Sequence, residues 1–271
     1  MTIFLQASFE GLALGAVYSL VAIGLVLIYK AMDVLSFAQP ALAVVGAGII
    51  SALAVDRGIN FWVAFIVALI ATGIIGALSE RIFLRPMVGA PVFSVAILTL
   101  GLDVLYRTVL DNWIGVNPRY MGDPIFTWGE FGSITIGGVV LKFQEIGALI
   151  TAILAVVFLG YFFKVSKYGL AMRATSFDQE ASLAQGINVG RIFGLVWFIA
   201  GILAAFSGFF ITGGFNLLTQ GYVAYYQFPF QDFTGINLGN GFSLLAPYLI
   251  MFLILIIKPD GLFGTEEVER G

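Results

Sequence analysis

The sequence contains neither cysteine nor histidine. Without thiols there are no disulfides and no cysteine nucleophile; without imidazole the commonest general base, the Ser–His hydrolytic pair and the usual zinc sites are excluded. No lysine follows a glycine anywhere in the 271 residues, so the phosphate-gripping lysine loop of nucleotide hydrolases is missing as well. Charge is scarce: 11% of residues are Asp, Glu, Lys or Arg, where a soluble domain carries about a quarter. The 13 basic and 16 acidic residues nearly cancel, which gives no footprint for nucleic-acid binding. What remains is apolar, with 60% of the chain hydrophobic and a mean hydropathy of +1.00. So few charges cannot cover a water-soluble fold of this size, and the expected class is an all-α, polytopic transmembrane bundle, one domain over residues 1–271 in the lipid bilayer. No catalytic residue, metal site or cofactor is expected.

A helix crosses the hydrocarbon with about 20 apolar residues. Charge-free stretches supply Gly11–Tyr29, Val34–Val55, Gly58–Ser79, Pro86–Leu102 (continuing through Asp103 and Arg107 toward Trp113), Ile146–Phe163, Ile192–Ile211 and Phe242–Ile257. Between the last two, residues 213–234 carry Asn216, Gln220, Gln227, Gln231 and Pro229 among aromatics. Such a mixture suits a re-entrant or interfacial segment better than a full crossing. About seven spans result. With the N-terminus outside, the inner side receives Lys30, Arg81, Arg85, Lys164, Lys167, Arg173, Arg191, Lys258 and Arg270, and the outer side Arg57, Arg107, Arg119 and Lys142. That basic-inside bias places the C-terminus in the cytoplasm. No Lys or Arg precedes Lys30, so no cleavable signal peptide is expected.

Two hydrophilic excursions follow from this layout. In the outer one, 115–142, the β-prone runs of Ser133–Leu141 meet at Gly137-Gly138 and are expected to form a hairpin. In the inner one, 164–191, Ser176-Phe-Asp-Gln179 has the pattern of a capping box, with Asp178 and Glu180 in the first helical turn and Gly186 as the terminating glycine. A helix of about nine residues, roughly 13 Å, is expected there. It is too short to span and is tethered to a transmembrane helix on each side.

The same loop reads Glu180-Ala181-Ser182-Leu-Ala-Gln-Gly186, which resembles the coupling loop of ATP-binding-cassette importer permeases. Its surroundings from Gly169 to Val189, the blocks Gly15–Tyr29 and Glu80–Pro91, and Lys258-Pro-Asp-Gly-Leu-Phe-Gly264 resemble the branched-chain (hydrophobic) amino acid permease family in that family's order. The resemblance departs at Ser36-Phe-Ala-Gln39-Pro40, where the family usually reads Asn-Phe-Ala-His-Gly, and in the absence of a Val-x-Gly-Gly-x-Gly-Ser stretch before the last span, where Gly235–Gly241 stands. The resemblance implies a multi-pass protein of the bacterial cytoplasmic membrane. Its partners would be ABC ATPase subunits, a second and non-identical permease, and an extracytoplasmic substrate-binding protein. It further implies that Glu180, Ala181 and Gly186 meet the ATPase, with Arg173 and Asp178 at the rim.

Each remaining candidate carries two readings. Asp103, Arg107 and Asp111 share one helix face at i, i+4 and i+8, and form either a structural ion network or a solute contact; the outer-end position favours the former. Ser36, Gln39, Asn216 and Gln220 are polar groups at or near membrane depth. They line a path for a solute with amino and carboxylate groups, or they bond neighbouring helices. Gly11 and Gly15, at GxxxG spacing, are expected to permit close helix packing. The outer loop is a plain cap or a docking face. At the level of the whole chain, the rivals to an importer subunit are an ion-coupled secondary transporter and a non-transporting scaffold.

Overall fold

The computed structural model describes residues 2–87, 92–115, 132–136 and 138–215, all within one compact unit, Met1–Leu218. Asn216, Gln220, the rest of 216–234, the glycine run 235–241 and the expected last crossing 242–257 lie outside the described residues.

Six described helices are long and apolar enough to cross a membrane, in the expected order, the second counted with the π turn that continues it to Asp56. They are α1 (Thr2–Met32), α2 (Gln39–Ser51), α3 (Phe61–Ser79), α4 (Val92–Ile114), α5 (Phe143–Val165) and, after two short helices, α8 (Val189–Phe215). A π turn, Ala52–Asp56, extends α2; a second, Glu80–Leu84, followed by the 3-10 turn Arg85–Met87, extends α3. The short helices are α6 (Lys167–Phe177) and α7 (Gln179–Ala184). The expected hairpin is present, with β1 (Ser133–Ile136) antiparallel to β2 (Val139–Lys142) and Gly138 at φ +84° in its turn.

Two ends of the bundle can be named from contacts. At the hairpin end, the side-chain amide of Gln6 on α1 donates to Val140 O at 2.9 Å and accepts from Val140 N–H at 2.7 Å. Helix α5 then carries the chain 23 residues, about 35 Å at 1.5 Å per residue, to the opposite end, where α6 and α7 sit. This is the loop end.

Helix α8 is the axis of the unit. In α2 and α8, 67% of the most apolar stretch is buried, against 17% in α5. The outward faces of α3 and α5 carry Ile66, Ile70, Ile74, Ile153, Val157 and Phe158, exposed as a bilayer-facing surface would be. Lipid is as apolar as leucine, so packing within a membrane depends on close backbone approach rather than on burying oil. Glycine supplies it on α8. A Cβ at Gly76 of α3 would lie 2.6 Å from Trp197 O, and one at Gly201 of α8 would lie 2.6 Å from Thr72 O. On α2, a Cβ at Gly46 would lie 2.6 Å from Ala205 Cα, and one at Gly208 would run into the Ala43 carbonyl. Farther along, Phe61 and Phe65 interlock with Phe206 and Phe209, the Phe65–Phe209 rings 4.9 Å apart at 63°. Helix α3 therefore runs antiparallel to α8 along its whole length. Gly11 and Gly15 lie on an exposed face of α1, and nothing among the described residues comes within 4 Å of a Cβ at either.

Candidate functional site

The second charge-free stretch, read from sequence as one span over Val34–Val55, is helical only from Gln39: its first residues belong to an irregular break between α1 and α2. Residues 33–38 are non-helical, Asp33 has φ +56°, and α2 begins only at Gln39 with Pro40 in its first turn and no side-chain cap. The break lies inside the bundle. The Phe37 N–H donates to Thr99 Oγ1 at 3.1 Å, seven residues into α4, or about 10 Å along it. Gln39 Nε2 donates to Ala200 O at 2.8 Å, near the midpoint of α8. Irregular backbone at such depth is tolerated where protein covers it or where it lines a cavity. Here Thr99 takes up one freed amide. Ser36 and Gln39 are both fully buried, yet Ser36 Oγ and Gln39 Oε1 have no hydrogen-bond partner among the described residues. Gln39 reaches this place because Gly24 of α1 leaves room: a Cβ there would run into the Gln39 amide nitrogen. Ser36 thus lies in the irregular stretch and Gln39 opens the helix that follows it.

At the loop end, the local sequence builds a rigid elbow. Ser166 caps α6, accepting from Tyr168 N–H at 3.2 Å. The expected cap of the next helix is corrected: Ser176 lies inside α6 and donates to Arg173 O, whereas Asp178 caps α7 by accepting from Ala181 N–H at 2.9 Å. The extended backbone at Asp178 ends one helix and begins the next, so α7 has six residues rather than nine. Gly186 at φ +79° closes it. Its N–H donates to Leu183 O, and Ile187 N–H donates to Ser182 O, both at 3.0 Å. This double bond pattern is the Schellman stop, which needs a left-handed residue at that position. Asn188 then caps α8, accepting from Arg191 N–H at 3.0 Å. Arg173, Ala181 and Gly186 are exposed, and so are the apolar Phe177 and Leu183. Glu180 lies in α7.

The family described as "Branched-chain amino acid transport system / permease component" matches residues 8–257. The chain belongs to this permease family. It is similar to the high-affinity branched-chain amino acid transport system permease protein LivH of Salmonella typhimurium, 25% identical over 98% of this chain and 97% of that protein. It is also similar to BraD of Pseudomonas aeruginosa, named likewise, 23% identical over 98% of both chains. The fructose import permease protein FruF of Bifidobacterium longum is 27% identical over 72% of this chain and 52% of its own length. No solved structure matches. The chain is therefore a multi-pass transport permease.

Among the described residues the permease holds two bidentate ion pairs at opposite ends. Arg107 donates to Asp103 through Nε at 2.9 Å and Nη2 at 3.2 Å, one helical turn apart on α4, with Arg107 one third exposed. Asp111 stands one turn farther on the same helix. At the loop end, Arg85 donates to Glu80 through Nε at 3.1 Å and Nη2 at 2.8 Å, and Nη2 donates again to Gly190 O of α8 at 2.5 Å. Sequence reasoning placed Glu80 and Arg85 in a family block without pairing them. In an α-helix, residues five apart point about 140° from each other. The π turn removes that offset: the Arg85 N–H bonds Glu80 O directly, which stacks Arg85 over Glu80.

Proposed function

We propose that the permease is the membrane-spanning subunit of an ATP-driven importer for branched-chain or other hydrophobic amino acids, or related amides and urea, in the cytoplasmic membrane of a bacterium. Its N-terminus faces outward and its loop end faces the cytoplasm. It works with separate ATPase subunits, a second and non-identical permease, and an extracytoplasmic binding protein. The observation that carries the solute reading is the break at residues 33–38, where two fully buried polar side chains keep an unspent oxygen each. Gln39 Oε1 can only accept, which suits a solute ammonium or amide N–H; the Ser36 hydroxyl can donate to a carboxylate or carbonyl. Stripping such groups of water without replacement costs several kcal/mol, so a path for them needs partners of this kind at mid-depth. Relatives similar over nearly the whole chain are named for branched-chain amino acids, and the fructose permease matches less of it.

Transport in this reading needs no catalytic group. It needs two conformations of the bundle whose relative stability is shifted by what binds the loop end. The exposed, capped α7, with Ala181 and Gly186 offering small surfaces and Arg173 and Asp178 flanking charges, supports contact with the ATPase. The test is leucine uptake by the complex in proteoliposomes. Gln39→Leu and Ser36→Ala are expected to raise the leucine concentration for half-maximal uptake while leaving ATPase capture unchanged. Normal uptake by both variants removes the break from the path. Uptake driven by an ion gradient with this chain alone, and no ATPase captured, replaces the importer with an ion-coupled carrier.

A further inference from the structure

We infer that the Glu80–Arg85 pair is the joint through which displacement of the cytoplasmic loop enters the bundle, a positioning role for both residues that rests on the importer reading above. Three observations meet at this point. The loop is stiff up to α8: only Gln185, Gly186, Ile187 and Asn188 stand between α7 and α8, and the Schellman stop at Gly186 and the Asn188 cap tie them down. Gly190, in the first turn of α8, is already in the grip of Arg85. Any movement of α7 therefore moves the carbonyl that Arg85 holds.

The contact is built for close seating. Gly190 and Gly194 lie one turn apart on α8 and present bare backbone to the pair. A Cβ at Gly190 would come 3.1 Å from the Arg85 guanidinium carbon, and one at Gly194 would come 3.5 Å from Glu80 Oε2. Glu80 has no exposed side-chain surface, whereas Arg85 is 40% exposed. The carboxylate is thus anchored in the π turn that extends α3, and the guanidinium bridges it to α8 through three directed hydrogen bonds. An apolar contact at this place could slide, because dispersion has no direction. A planar bidentate fork with a third bond at right strength resists both sliding and rotation. Beyond the joint, α3 and α8 remain in backbone contact at Gly76 and Gly201, so a push received at Gly190 reaches the depth of the helix break at residues 33–38.

The experiment uses the complete complex, with ATPase and binding protein, in proteoliposomes, and reads leucine taken up per ATP hydrolysed. Two variants are compared with wild type. Arg85→Lys keeps the charge and loses the fork. Gly190→Ala keeps both charges and puts a methyl against the guanidinium. Each is expected to capture ATPase and hydrolyse ATP near the wild-type rate, with uptake per ATP lowered about fivefold or more, the lower end of coupling between linked sites. A merely structural pair would lower uptake and hydrolysis together, in step with the amount of folded complex. An unchanged ratio in a working complex overturns the joint alone. If Arg85→Lys does not assemble, Gly190→Ala decides by the same ratio. A wild-type complex that captures no ATPase and shows no ATP-driven uptake overturns the importer reading, and the joint with it.

Discussion

Gly201→Ala tests whether α3 and α8 are held by backbone proximity. The added Cβ would sit 2.6 Å from Thr72 O, 3.1 Å from Thr72 C and 3.0 Å from Gly73 Cα, where ordinary contact begins at 3.4 Å. All three obstacles are backbone, so no side chain can swing aside. The helices must part by about 0.8 Å along that line, the difference between the two distances. Overpacking of this kind costs about 1–3 kcal/mol, and the upper half of that range is expected because the strain cannot relax locally. Gly160→Ala on α5 is the control, since nothing lies within 4 Å of its Cβ. It should be neutral or gain up to about 1 kcal/mol in helix propensity. Gly76→Ala pushes the same two helices apart from the other side, so the double variant with Gly201→Ala should cost less than the sum of the singles. Thermal unfolding of the detergent-solubilised protein measures all four. Equal stability of Gly201→Ala and Gly160→Ala would refute close approach as the basis of this packing.

Two further expectations concern the ends of the bundle. Asp178→Ala removes the cap from α7 at a local cost of about 1 kcal/mol, and amide hydrogen exchange over 179–184 should accelerate about fivefold while α8 is unchanged; unaltered exchange would show that another group holds that turn. Gln6→Ala removes both bonds to Val140, each worth about 0.5–1.5 kcal/mol and nearer the lower figure at an exposed site. The Val140 amide should then exchange faster than its neighbours in α5, and no change there would mean that the hairpin is fixed by other contacts.

Hydropathy made the spans legible because lipid imposes one strong rule on every crossing, and the first six charge-free stretches each contain a described helix. It could not show the break at residues 33–38, since Val34, Leu35 and Phe37 are as apolar as the helix that follows; only Pro40 and Asp33 hinted at a boundary. The hairpin was readable from Gly137-Gly138 between β-prone runs. In the loop of residues 164–191, two residues competed to cap one helix. Ser176 had the better motif, but Asp178 took the position because α6 runs on through Phe177. Glu80 and Arg85 escaped notice for a geometric reason: a spacing of five is off-phase for an α-helix, and nothing in composition announces a π turn. Among the close-packed glycines of α3 and α8, Gly73 and Gly76 are three residues apart and Gly201 and Gly208 seven, off the GxxxG spacing that Gly190 and Gly194 keep.

The bonds between Gln6 and Val140 have a consequence for how soluble molecules meet this end of the permease. A two-stranded ribbon has open edges, and an open edge is a template on which a foreign strand can add. The primary amide of Gln6 carries one donor and one acceptor side by side, as a peptide unit does, and it satisfies both main-chain groups of Val140. A single side chain thus stands in for a third strand and seals the ribbon there. A visiting protein finds side chains such as Ile134 and Ile136 to recognise by shape, and at Val140 no ladder to extend.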